Sequence, residues 1–207
     1  MPRIQLRARK APRQARSQAT VETILVAAAR VLAKASLAGF NTNRVAEVAG
    51  VSVGSLYQYF PNKAALVSAL IDREHERLAA ALEAAVAESA ALSFRERLHA
   101  LARLAIDQQY RDPIYAAALD HEERRLPIGA RLRQYDQRLG ATVLAFLAQH
   151  RRELPVGRVS PVVARDLLLI TRALVEADAQ DAAQPPPDLE DRIVQALVGY
   201  LLAGAPA

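Results

Sequence analysis

Residues 41–63, NTNRVAEVAGVSVGSLYQYFPNK, constrain the fold more than any other stretch, because they leave room for little besides two short helices joined by a tight turn. Asn41 or Thr42 can cap the first helix, since a short side-chain oxygen accepts from an otherwise unpartnered backbone N–H of the first turn. Val45, Val48 and Ala49 fall three and four apart and are expected to face inward. Gly50 stands where that helix must stop, and glycine tolerates the left-handed conformation such a stop uses. Val51 is expected to fill the angle between the helices, and Ser52 to cap the second. In that second helix Leu56 and Phe60 share one face, which turns Gly54 and Gln58 the opposite way and leaves Val53, Ser55 and Tyr57 on the flanks. An outer face that is small, polar and aromatic suits insertion into a DNA major groove, where a helix fits only if its side chains are short enough to reach base edges.

The charge distribution supports the same reading. The chain carries a net charge of +5. Residues 1–70 hold ten Lys or Arg against Glu22 and Glu47, a balance of +8 that leaves −3 on the rest. A positive field on the end that holds the two short helices is the electrostatic footprint of nucleic-acid binding. Arg3, Arg7, Arg9, Lys10, Arg13 and Arg16 form a basic arm over residues 1–16 without an acid. The arm reads as a solvated tail when free and as a contact to phosphates or the minor groove when bound. An organelle transit peptide is the weaker alternative, because the serine content of such peptides is lacking.

Apolar periodicity sets out the remaining elements, all of them helical. Val21, Ile24, Leu25, Ala28, Val31, Leu32 and Ala35 predict a helix over residues 17–35, with Leu37 and Phe40 covering the turn that follows. Leu66, Leu70, Ile71, Leu78, Leu82 and Val86 predict a long helix from about residue 63 to 91. Ser93 with Glu96 is a capping box that opens a helix over 93–111. Pro113 interrupts it, and further helices are expected over 114–125 and 129–152. Ser160 with Pro161 starts the next, and Asp188, after a stiff Pro185–Pro187 connector, is expected to cap the last. These two helices, over residues 161–177 and 189–203, are apolar around most of their circumference. A terminal helix without a wet face points to a partner subunit, a symmetric homodimer being the commonest arrangement, with burial of both helices inside their own domain as the alternative.

With 52% hydrophobic residues the chain is globular, and with no cysteine it holds neither a disulfide framework nor a thiolate metal site. No apolar run reaches the roughly 18 residues of a membrane span, so a soluble, cytoplasmic protein is expected. His75, His99, His121 and His150 lie on separate expected helices without metal-ligand spacing. The run Asp120, His121, Glu122, Glu123, Arg124, Arg125 reads as a solvated face with local ion pairs. Phosphate-cradling glycine loops, nucleophile elbows and HExxH pairs are lacking, so no catalytic residue, metal or cofactor is assigned and the chain is not read as an enzyme.

The pattern V-A-E-V-A-G-V-S-V-G-S-L-Y-Q-Y-F-P-N-K resembles the DNA-binding motif of the tetracycline-repressor (TetR) family, and the likeness covers roughly the first seventy residues. Ser36 stands where that family often has a glycine, and Asn41 where it often has a threonine. The resemblance implies an all-α protein: a basic arm (1–16), a three-helix DNA-binding domain with a helix-turn-helix (17–62), and a helical effector-binding and dimerisation domain (63–207). It implies phosphate contacts from Thr42, Tyr57, Tyr59 and Lys63 and base contacts from Val53, Gly54 and Ser55; Asn43, Arg44, Ser52 and Gln58 complete the candidate DNA-binding set. It further implies a regulator, most often a repressor, that binds a palindromic double-stranded operator as a dimer and leaves it when a small-molecule effector enters the second domain. Gln109, Tyr110, Tyr115 and His121 could supply that effector's polar contacts within an otherwise Leu- and Ala-rich site. A ligand-independent architectural DNA-binding protein of the same fold is the alternative.

Overall fold

The computed structural model describes residue 6 and residues 15–88, 92–181 and 184–203. The basic residues of the arm up to Arg13 lie outside these, as does the side chain of Arg16. The described residues form nine helices and no strand: α1 (Ala15–Gly39), α2 (Thr42–Ala49), α3 (Val53–Tyr59), α4 (Lys63–Glu88), α5 (Phe94–Tyr110), α6 (Pro113–Arg125), α7 (Gly129–Gln149), α8 (Pro161–Asp181) and α9 (Leu189–Leu202). The all-helical class expected from the sequence is the class observed. The backbone divides into two compact units, one from Met1–His75 with Asp112–Gly129 and the other from Glu76–Arg111 with Ala130–Ala207. The first therefore includes α6 as well as the N-terminal helices.

In the first unit α1 packs against both α2 and α6. Its buried stripe contains Ile24, Leu25, Ala28, Val31 and Leu32, as the periodicity requires. The helix runs on past residue 35, but through a break: Ser36 has φ 52 and ψ −175, while the residues around it are helical. Three consecutive α4 residues tie this unit together. Arg73 pairs with Glu22 of α1 at 2.9 Å, Glu74 accepts from the Tyr115 hydroxyl at 3.2 Å, and His75 meets Glu123 of α6 at 3.1 Å.

In the second unit α5 packs on α8 and α9, which also pack on each other. Phe94, Leu98, Phe146, Leu147, Leu167, Ile193 and Leu197 belong to its core. The capping box is formed: Ser93 N–H donates to Glu96 at 2.8 Å, and Glu96 N–H to the Ser93 hydroxyl at 3.4 Å. Arg97 is buried, a position no charge pattern announced. Its guanidinium donates to the Val86 carbonyl at 2.8 Å, to Gln149 at 2.7 Å and to His150 Nε2 at 2.7 Å. An arginine can only donate, so Nε2 is the acceptor and the proton of His150 sits on Nδ1, where Glu153 receives it at 2.7 Å.

Several expectations are corrected. α7 ends at Gln149 rather than near residue 152. Residues 89–91, expected to close the long helix, lie outside the described set. Asp188 takes the N-cap position of α9 without a side-chain cap bond, because its carboxylate lies 3.6 Å from Arg192 instead. Most apolar side chains of α9 need no partner subunit: Leu189, Ile193, Val194, Leu197 and Leu201 are buried within their own unit. The outward apolar residues of the last two helices are Val162, Leu169 and Leu202, 56%, 55% and 50% exposed.

Candidate DNA-binding surface

The helix-turn-helix is held by local capping at each of its corners. Asn41 caps α2, its side chain accepting from Arg44 N–H at 2.8 Å. Gly50 then stops α2 with φ 66 and ψ 29, a left-handed conformation that a side chain would strain. Gly50 N–H reaches the Glu47 carbonyl at 3.1 Å and Val51 N–H the Ala46 carbonyl at 3.0 Å, so the last carbonyls of α2 are satisfied as the chain turns. Ser52 caps α3 by accepting from Ser55 N–H at 3.0 Å. Asn62 accepts from Ala65 N–H at 2.8 Å and so opens α4 directly after Pro61.

Val45, Ala46, Leu56 and Phe60 are the buried residues of this corner. Val48 is not among them: it is 40% exposed, and Ala46 takes the inward place. On a helix of eight residues the arc that meets its neighbours is narrow: Val45 and Ala46 define it, and Val48, about 60° from Val45 but on the side away from Ala46 and so about 160° from it, falls outside.

The candidate DNA-binding side chains share an accessible surface. Asn43, Arg44, Ser52, Val53, Gly54, Tyr57, Gln58 and Lys63 are exposed, and Thr42, Ser55 and Tyr59 are half-buried. Contacts among them fix orientations that the sequence did not show. Thr42 Oγ1 lies 3.0 Å from the Tyr57 hydroxyl, joining the start of α2 to α3. The hydroxyls of Ser52 and Ser55 lie 2.8 Å apart. Arg44 pairs with Glu47 at 2.6 Å. Lys63 Nζ donates to the Leu37 carbonyl at 3.0 Å and stands 5.4 Å from the centre of the Phe40 ring. It thereby satisfies a carbonyl at the end of α1, where a cation also suits the helix dipole. An ammonium has three donors, so this bond leaves others for a phosphate.

The candidate effector residues fall in different units. Gln109 and Tyr110 end α5 in the second unit, both half-buried, whereas Tyr115 and His121 belong to α6 in the first. Burial and the neighbouring Glu74 push the Tyr115 phenol well above its usual range, and it donates to that carboxylate. His121 is exposed. The Tyr110 hydroxyl is buried with no hydrogen-bond partner among the described residues, and burial, with Asp178 nearby, raises its pKa. No group of His, Asp or Glu among the described residues is arranged to hold a metal.

Two short capped helices with an exposed small and polar outer face define a helix-turn-helix DNA-binding protein. Residues 24–70 match the family described as bacterial regulatory proteins, tetR family. Over 60 residues the chain is 43% identical to the HTH-type transcriptional regulator TtgR of Pseudomonas putida, a stretch that is 29% of either protein. Most of the length of that relative is thus left unmatched. A TetR transcription regulator from Haloarcula marismortui has the same fold, with a TM-score of 0.72 at 20% identity over 89% of this chain and 97% of that one. The multidrug binding protein EbrR, in complex with imidazole, superposes with a TM-score of 0.65 at 23% identity over 90% of this chain and 96% of its own. Residues 24–70 thus carry the DNA-binding segment of the tetR family of regulatory proteins, and the overall fold is the one seen in a TetR regulator of known structure.

Proposed function

We propose that the chain is a sequence-specific repressor that occupies a palindromic operator as a homodimer and is released when its second unit binds a small-molecule effector. The observation that carries the DNA-binding half is the outer face of α3, where Val53, Gly54, Tyr57 and Gln58 are exposed on a helix capped at both ends. The dimer rests on Val162 and Leu169, two turns apart on one face of α8, and on Leu202 of α9. Large apolar side chains half in water at related positions mark an association surface. For the effector, the buried Tyr110 hydroxyl, without a partner among the described residues, is a polar group that an incoming ligand can satisfy. No helix among the described residues is long and apolar enough to cross a membrane, in keeping with a cytoplasmic site of action.

Selection from a random duplex library tests the reading. An enriched inverted repeat, with half-sites about 34 Å or a multiple apart, is expected. Enrichment of no sequence would overturn it.

A further inference from the structure

The outer face of α3 holds a glycine that the fold does not need. A Cβ added at Gly54 would meet only the Ser52 hydroxyl at 3.9 Å, an ordinary contact, and Gly54 has no positive φ to excuse it. A glycine inside a helix costs stability relative to alanine, so its presence on an exposed face calls for something outside the chain that must come close. Gln58 lies one turn further on, about 6 Å along the axis and on the same face.

The neighbouring polar groups are already engaged. Ser55 and Ser52 bind each other at 2.8 Å, and Tyr57 binds Thr42 at 3.0 Å. Gln58 is exposed, and its carboxamide has no partner among the described residues. Unlike the Tyr57 hydroxyl, which is shared with Thr42, its carboxamide offers a donor and an acceptor side by side, which is what the N7 and N6 edge of adenine requires in the major groove.

We infer that Gln58 reads an adenine in each half-site by paired hydrogen bonds, and that Gly54 is the notch that lets α3 approach closely enough for it to do so. The inference rests on the operator-binding reading above and adds the base and the residue that reads it. Val53, 40% exposed beside the notch, is placed to pack on a thymine methyl.

The test uses the full chain and the duplex selected by the wild type, with each position substituted in turn. For Gln58→Ala, discrimination for adenine should fall about 5- to 150-fold at one position of each half-site and nowhere else, with an unchanged melting temperature. For Gln58→Glu, which can only accept, preference at that position should move toward cytosine. Gly54→Ala should raise the melting temperature by about 2–4 °C while weakening binding to every sequence at least tenfold. Full discrimination by Gln58→Ala, or undiminished binding by Gly54→Ala, would overturn the inference while leaving the operator reading intact. A wild type that selects no sequence would overturn both.

Discussion

Thr42 and Tyr57, fifteen residues apart, share a hydrogen bond of 3.0 Å that links the first turn of α2 to the exposed side of α3. Both side chains are at the rim of the surface proposed to meet DNA, so the bond sets where their hydroxyls point before any duplex arrives. Tyr57→Phe should cost about 0.5–1.5 kcal/mol of stability, the usual net worth of such a bond. A double-mutant cycle with Thr42→Val should show the two losses to be non-additive. In DNA binding, Tyr57→Phe should weaken all sequences alike, as loss of a phosphate contact does. Additive melting data together with a changed sequence preference would contradict this arrangement.

Ser36 is held at φ 52, ψ −175, a region populated almost wholly by glycine and costing of order 1–3 kcal/mol for other residues. Ser36→Gly should relieve part of that strain against the greater freedom of glycine in the unfolded chain, for a net gain of about 1 kcal/mol. Thermal melting by circular dichroism reads it directly. An unchanged or lowered midpoint would show that the break is not strained.

The dimer proposal separates two leucines that the sequence treated alike. Leu197 is 4% exposed within its own unit, so Leu197→Arg should unfold the protein by burying an unpaired charge, at a cost of several kcal/mol. Leu169, 55% exposed, should tolerate arginine in the fold while losing association. Sedimentation velocity beside circular dichroism distinguishes them: a folded monomer is expected for Leu169→Arg, and a folded dimer would place the interface elsewhere.

The capping box of Ser93 and Glu96, the stop at Gly50 and the cap at Ser52 were legible in the sequence because each is decided within four residues, and each is present as read. Val48 was misplaced because two turns of helix contain too few apolar positions to fix which arc is buried. The Lys63 bond to Leu37 spans 26 residues, and that of Arg97 to His150 spans 53, so both depend on packing that local spacing does not encode. For the same reason the inward turn of α9 could not be told from a subunit interface: apolarity records burial but not by which chain.

Acid should destabilise the fold through carboxylates held below their ordinary range. Asp166 is lowered by the hydrogen bond from the Tyr200 hydroxyl at 2.6 Å and by Arg165, and Glu96 by Ser93. A lowered carboxylate binds fewer protons folded than unfolded, so its contribution is present above the unfolded value near 4 and is lost as pH falls through the folded one. Melting temperature should therefore drop more steeply below about pH 4 for the wild type than for Asp166→Asn. Parallel curves would remove Asp166 from the account.

The most direct test of the central claim is fluorescence anisotropy of the selected duplex titrated at several salt concentrations. A repressor that holds phosphates through Lys63 should lose affinity with a steep log–log slope of about −0.9 per neutralised phosphate. Lys63→Ala should lower that slope by about 1.8 in the dimer, one contact per half-site, and leave the preferred sequence unchanged. A slope near zero for the wild type, or equal affinity for selected and scrambled duplexes, would contradict sequence-specific operator binding.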